Sequence, residues 1–274
     1  MRTLVHLSDL HFGRTDAGVL APLSDLVQRL GPDLVVVSGD LTQRARSEQF
    51  QEARDFLDTL PSPQVIVPGN HDISLYNVVR RFAAPLQRYQ RYITHELEPS
   101  FIDNEIAVLG MNTARSLTFK AGRVDPGQIG RMHARFSQLD PQVTRIVVSH
   151  HPLDLPPALA RGQRVGRAGL AMRSFADCGV DLLLAGHMHA SHAGSTPGRH
   201  VLPDYAALVV QAGTATSTRA RGEVNSFNVV RIDGGQIEVA RYGWNGLGTR
   251  FELLSTKHFE RHGNRWSVRL HNQR

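Results

Sequence analysis

The sequence has a single cysteine and no long apolar run, and each shortage removes a class of protein. With Cys178 alone, no intrachain disulfide framework can form, which fits a reducing compartment. Cys178 itself reads as a small buried side chain before a turn. No stretch approaches the roughly 20 apolar residues of a membrane-spanning helix. The apolar residues before Asp9 and His11 are too few for the core of a signal peptide. Internal repeats and low-complexity linkers are missing as well. The expectation is a cytoplasmic protein that could still touch a membrane from outside.

What is present describes an ordinary globular chain. Of 274 residues, 41% are hydrophobic and 20% charged, enough to bury a substantial core in one domain. Lys and Arg outnumber Asp and Glu by 31 to 25. The resulting field favours anionic partners: phosphorylated small molecules, nucleic acid or anionic lipid headgroups.

Five short apolar runs stop abruptly at polar, often Gly-containing residues: LVHLSDLH, DLVVVSGD, QVIVPGNHD, RIVVSHHP and DLLLAGHMH. Runs of Val, Ile and Leu without polar alternation predict strands buried on both faces. Helical spacing over Leu20 to Leu30 and Phe50 to Leu60 places helices between the first three, which is α/β architecture. Asn77 to Ile93 is predicted as one Arg-rich helix, and Asp125-Pro126 as the cap and first position of another, ending near Gln138. Antiparallel strands are predicted at Ala207 to Gln211, Ser226 to Ile232 and Ile237 to Tyr242, with a hairpin at Gly234-Gly235. The domain is placed at 1–245 and a basic C-terminal tail at 246–274, either loosely attached or packed on the domain.

In an open α/β sheet, functional groups collect beyond the carboxyl ends of the strands, where all five motifs fall. Their carboxylate, imidazole and carboxamide groups are donors for Mn, Fe, Zn or Co. Singly, each motif is weak: Asp-x-His arises by chance, and two histidines on a loop are often just solvated. In this order, each behind its own apolar run, they resemble the signature of the calcineurin-like metallophosphoesterases over roughly the first 190 residues. The matching positions are Asp9-x-His11, Gly39-Asp40, Gly69-Asn70-His71-Asp72, His150 and Gly186-His187-x-His189.

That resemblance implies a four-layer αββα sandwich of two mixed β-sheets flanked by helices. It implies two divalent metal ions, one held by Asp9, His11, Asp40 and His189, the other by Asp40, Asn70, His150 and His187, with Asp40 bridging. His150-His151 is ambiguous; His150, which directly follows the strand, is taken as the ligand and His151 as support. The resemblance makes His71 a proton donor beside the leaving oxygen, with Asp72 either orienting it or capping the turn. Arg44, Asn112 and Arg115 are the first candidates for substrate contact, followed by Arg46, Arg161, Arg164 and Arg167. Leu153 to Gly169 reads as a flexible lip over the pocket.

The implied activity is hydrolysis of a small phosphodiester by in-line attack of a metal-bridging hydroxide. Ser-Asp-Leu-His-Phe-Gly and Gly-Asp-Leu-Thr resemble the bacterial branch containing cyclic nucleotide and glycerophosphodiester phosphodiesterases, with 3',5'-cAMP the first named substrate. Alternatives are a pyrophosphatase acting on a lipid-linked nucleotide sugar of the UDP-diacylglucosamine type, a nuclease, and a non-catalytic interaction module. The last is disfavoured because every expected donor is present.

Overall fold

The structure is a computed structural model that describes residues 1–74, 78–118, 120–155, 165–196, 202–218 and 222–269. In its first half, β1 (Arg2–Leu7), α1 (Ala17–Leu30), β2 (Leu34–Val37), α2 (Ser47–Leu57) and β3 (Gln64–Ile66) alternate, followed by two short helices, α3 (Val78–Ala83) and α4 (Gln87–Tyr92). Next come β4 (Ser100–Ile102), β5 (Ile106–Met111), α5 (Pro126–Ser137), β6 (Thr144–Ser149), α6 (Ala168–Asp177), β7 (Leu182–Ala185), β8 (His192–Ser195) and β9 (Leu208–Gln211). The chain closes with β10 (Ser226–Asp233), β11 (Gln236–Asn245), β12 (Arg250–His262) and β13 (Arg265–Val268).

These strands form two mixed sheets, ordered β13-β12-β11-β10-β1-β2-β3 and β4-β5-β6-β7-β9-β8. Alternate side chains of each parallel strand enter different layers, which is why the runs are apolar throughout. Leu4, Leu34, Val36, Val108, Ile146 and Leu184 belong to the core between the sheets. Val5, Leu7, Val35 and Val37 turn outward onto Leu23 and Val27 of α1 and Phe50 and Phe56 of α2. On the far side, Leu109, Val147 and Leu183 meet Met132 and Phe136 of α5 and Met172 and Phe175 of α6. The result is a mixed α/β fold of two sheets flanked by helices. Each fully buried Leu, Val or Phe contributes on the order of 1.5–3 kcal/mol of transfer free energy.

Local signals behave as their chemistry requires. The Asp125 carboxylate accepts the Gln128 N–H at 3.1 Å and Pro126 occupies the first turn of α5. Gly234 and Gly235 separate β10 from β11, which pair antiparallel as expected, whereas β9 lies parallel to β7 and is antiparallel only to the edge strand β8, because the long connection after β7 lets the chain return in the same direction. The single helix expected over Asn77 to Ile93 is instead α3 and α4, separated at residues 84–86, where Pro85 cannot donate to the preceding turn.

Of the two arrangements open for the segment from residue 246, loosely attached or packed on the domain, its described residues take the packed one, and as strands rather than a tail. It supplies β12 and β13, two strands of the larger sheet, and buries Phe251, Phe259 and Trp266. Trp266 Nε1 donates to Asp181 Oδ1 at 2.9 Å, and the Arg261 guanidinium reaches the same oxygen at 3.3 Å. The sequence hid the strands because residues 253–257 are exposed on both faces, which erases the alternation. Among the described residues no helix is long and apolar enough to cross a membrane.

Candidate metal centre

The loops following β1, β2, β3, β6 and β7 converge, and the backbone there is unusual. Asp9, His11, Asp40, His187 and His189 all have left-handed φ values, between 52° and 70°. Each such non-glycine conformation costs on the order of 1 kcal/mol or more and persists only where neighbours enforce it. Those neighbours are evident: Asp9 N–H donates to Gly39 O at 3.1 Å, His11 N–H to Asp40 O at 2.9 Å, and His187 N–H to Asp9 Oδ2 at 2.9 Å. Two glycines make the close approach possible. A Cβ at Gly69 would lie 2.1 Å from Asp40 Oδ1, and one at Gly186 would lie 1.8 Å from Ser8 Oγ.

The side chains form two adjoining groups that share Asp40. In one, His189 Nε2 lies 3.3 Å from Asp9 Oδ1 and 3.3 Å from His11 Nε2, while His11 Nε2 lies 3.8 Å from Asp40 Oδ2. In the other, His150 Nε2 lies 3.3 Å from Asp40 Oδ2, 3.2 Å from Asn70 Oδ1 and 3.2 Å from His187 Nδ1. All seven expected ligands are therefore gathered, with Asp40 between the two groups. His151 adjoins the second group: its Nδ1 pairs with Thr113 Oγ1 at 2.8 Å, and its ring centroid is 4.6 Å from that of His187.

This donor set fits a pair of divalent ions. With metal–ligand bonds near 2.1 Å, donors around one ion stand about 3.0–3.5 Å apart, the spacing found among most of these atoms. Asp9 Oδ1 is buried with no hydrogen-bond partner among the described residues, although two imidazole nitrogens face it. Two imidazole Nε2 atoms 3.3 Å apart, as in His11 and His189, need a proton or a cation between them. Among the described residues, Asp9-His11-His189, Asp9-Asp40-His150 and His150-His151-His187 are the groupings compact enough to hold an ion.

Other groups fix the rings. His150 Nδ1 donates to Ser38 O at 2.8 Å, which directs Nε2 inward. His189 Nδ1 is paired with Thr214 Oγ1 at 3.0 Å, and Ser8 Oγ donates to Asp9 Oδ2 at 2.6 Å. Thr214 is invisible in sequence: a threonine beyond β9, distant from every motif, carries no signal.

The titration behaviour follows from burial and shared charge. Burial opposes ionisation of Asp40, but the neighbouring His150, its hydrogen bond and His71 more than offset this and hold the carboxyl well below its ordinary range. Burial likewise lowers His150, yet the Asp40 carboxylate prevails and lifts the imidazole to about 9. Burial and the positive charge on His150 push His187 down to about 4. Burial and the charge of Asp40 raise Asp72 to about 6.

Asp72 caps the turn and does not orient His71. Its carboxylate accepts from Gly69 N–H at 2.9 Å, Leu41 N–H at 3.2 Å, and both the N–H and Oγ1–H of Thr42 at 2.9 and 3.0 Å. The orienting place beside His71 is filled by the Gln43 carbonyl, 2.9 Å from Nδ1. A carbonyl can only accept, so the Nδ1 of His71 carries a proton. The His71 ring stands edge-on to His11, with centroids 5.0 Å apart.

The substrate candidates fare differently. Asn112 is buried, and its Oδ1 accepts Ala114 N–H at 3.0 Å, which forms a turn. Arg115 is partly buried on the same loop, its Nη1 donating to the Ala114 carbonyl at 2.8 Å. Arg44 and Arg46 are exposed on either side of the buried Ala45, in the loop before α2. Arg167 donates to Val124 O at 3.3 Å, a packing contact. Arg161 and Arg164, with most of the expected lip, lie outside the described residues.

Comparisons with known proteins agree with this geometry. The family profile described as calcineurin-like phosphoesterase matches residues 2–191. A glycerophosphodiester phosphodiesterase, GpdQ of Enterobacter lignolyticus, is 39% identical over 82 residues, covering 25% of this chain and 29% of that protein. A UDP-2,3-diacylglucosamine pyrophosphatase, LpxG of Chlamydia muridarum, is 36% identical over 76 residues, covering 27% of this chain and 23% of that protein. Both alignments thus span less than a third of the relative's length. Among solved structures, purple acid phosphatase PPD1 from yellow lupin superposes with a TM-score of 0.70 at 13% identity, over 95% of this chain and 54% of that one. A dimetal phosphatase from Danio rerio gives 0.65 at 14% identity, over 88% and 96% of the two chains. At such identities the likeness concerns the fold. With most of the chain matched by the profile and the signature residues gathered in one place, the chain belongs to the calcineurin-like phosphoesterase family.

Proposed function

We propose that the chain is a binuclear metal-dependent phosphodiesterase acting on a small phosphodiester. The observation that carries this reading is the position of Asp40, whose Oδ2 lies 3.3 Å from His150 Nε2 and 3.8 Å from His11 Nε2. A carboxylate so placed can serve two cations at once and offset their repulsion. Asp9, His11, Asp40 and His189 would hold one ion; Asp40, Asn70, His150 and His187 would hold the other. Bound there, two divalent ions would supply an ionised water at neutral pH and would neutralise phosphate charge. Mn, Fe, Zn and Co all suit the donors.

The chain's own contributions are orientation and proton transfer. With Nδ1 of His71 donating to Gln43, Nε2 would give a proton to a departing alkoxide from the doubly protonated imidazolium, leaving the neutral Nδ1–H ring. Asn70 offers a neutral oxygen, which leaves its ion more electrophilic than a second carboxylate would. A cyclic nucleotide such as 3',5'-cAMP is the first substrate to test. The similarity to GpdQ supports a glycerophosphodiester alongside it, and that to LpxG supports a nucleotide-sugar pyrophosphate as the second reading.

The deciding assay compares bis(p-nitrophenyl) phosphate with p-nitrophenyl phosphate, each with added Mn and with chelator. The diester is expected to turn over faster, and only with metal. Preference for the monoester would remove the phosphodiesterase reading, and indifference to chelation would remove the metal.

A further inference from the structure

The carbonyl of Gln43 and the N–H of Arg44 are the two ends of one peptide group, and each end is bonded to a side chain. The carbonyl accepts from His71 Nδ1 at 2.9 Å. The N–H donates to Gln49 Oε1, also at 2.9 Å. This peptide bond is trans, so the group is planar, its N–H and C=O point in opposite directions, and it turns only as a unit. Whatever fixes the N–H therefore aims the carbonyl.

Gln49 is built to fix it. The residue lies in the first turn of α2 on its buried face and is only 9% exposed. A buried amide is costly unless it is hydrogen-bonded, and the printed bond of its oxygen is the one to Arg44 N–H. The amide passes over the loop that bears His11: a Cβ at Gly13 would lie 2.1 Å from Gln49 Nε2, so glycine at 13 leaves it room. The surrounding loop is under tension. Ala45 has a left-handed φ of 49°, a conformation that persists only where neighbours enforce it. Ala45 N–H donates to Thr42 Oγ1 at 3.0 Å, Arg88 Nη1 donates to Ala45 O at 2.6 Å, and Gln43 N–H donates to Phe12 O at 2.9 Å.

We propose that Gln49 is a positioning residue for His71: through the peptide group between residues 43 and 44, its amide oxygen aims the carbonyl that holds Nδ1 of the imidazole. Nε2 is then kept as the nitrogen that releases a proton. Donation from the N–H end also polarises the carbonyl toward His71, as bonds in a chain strengthen one another. Without the acceptor on Gln49 the peptide can rotate, the carbonyl leaves Nδ1, and the ring loses its fixed orientation. The inference rests on the reading of His71 as the proton donor.

The test uses the metal-loaded full chain. Gln49→Met keeps the volume but removes the acceptor, and Gln49→Glu keeps an acceptor oxygen. On a diester with an alkyl leaving group, Gln49→Met should lower turnover by about tenfold or more. Bis(p-nitrophenyl) phosphate, whose leaving group departs without help, should be hydrolysed at nearly the unmodified rate. Gln49→Glu should retain both rates. In a His71→Asn background, Gln49→Met should bring no further loss on the alkyl diester, because it acts only through His71. A second measurement needs no turnover. With Zn as the metal, imidazole proton–nitrogen correlation spectra should show His71 protonated at Nδ1 in the unmodified protein and in Gln49→Glu, and a mixture of tautomers in Gln49→Met. Equal losses on both diesters, additive losses in the double variant, or an unchanged His71 tautomer in Gln49→Met would each overturn the proposal. If the unmodified protein hydrolyses neither diester, the phosphodiesterase reading falls, and the spectra still decide whether Gln49 positions His71.

Discussion

Asp40 and His71 are locked together: the backbone N–H of His71 donates to Asp40 Oδ1 at 2.8 Å. The bond occupies one carboxylate oxygen from the side of the proposed proton donor and leaves Oδ2 facing His11 and His150. A change at either residue therefore reaches both halves of the proposed chemistry.

Replacing Asp40 by Asn keeps the shape and the acceptor for His71 but removes the charge between two cation positions. The expected outcome is loss of bound metal, measured by elemental analysis, together with turnover near background. A variant that retained two equivalents of metal and full activity would show that the bridging role is wrong.

His71→Asn should separate metal binding from proton transfer. Metal content should hold, while turnover of a diester with an alkyl leaving group falls by about 10²–10⁴. The drop should be smaller for p-nitrophenolate, which departs without help. Equal losses on both substrates would argue against a proton donor.

At Thr214 the expected effect is on the ring that it orients. Thr214→Val removes the oxygen 3.0 Å from His189 Nδ1, so metal affinity should fall by roughly 10–100-fold. Thr214→Ser should restore it. Competition with a fluorescent chelator provides the measurement, and a Val variant with unaltered affinity would make Thr214 a packing residue only.

Gly69→Ala places a methyl 2.1 Å from Asp40 Oδ1. Overpacking of this kind costs about 1–3 kcal/mol, and here the strain falls on the proposed bridging carboxylate. Reduced metal content should accompany a lowered unfolding midpoint. Stability lost without any loss of metal would mean that the loop relaxes away from the site.

Trp266→Ala tests whether the last strands belong to the fold. Trp266 is buried and bonded to Asp181, so its truncation should cost about 3–5 kcal/mol in urea unfolding. A tail would lose almost nothing.

The sequence alone determined the parallel strands β1, β2, β3, β6 and β7 and the seven candidate metal donors behind them, because both signals are local. A strand buried on two faces must be apolar at every position, and a loop that turns sharply into a polar cluster must change composition at once. The runs before Asp9, Asp40, Asn70, His150 and His187 satisfy both conditions. It also carried the cap at Asp125 and the hairpin glycines, whose chemistry acts within a few residues. Only tertiary structure decided the rest. Which of His150 and His151 approaches Asp40 depends on how one strand end sits against another, and Asp72 turns away from His71 because four donors from its own and a neighbouring loop claim its carboxylate. β12 and β13 are strands because β11 offers an edge and Asp181 offers an acceptor, neither of which leaves a mark on residues 246–269. Contacts between residues far apart in the chain are made by the fold, and periodicity within one segment cannot report them.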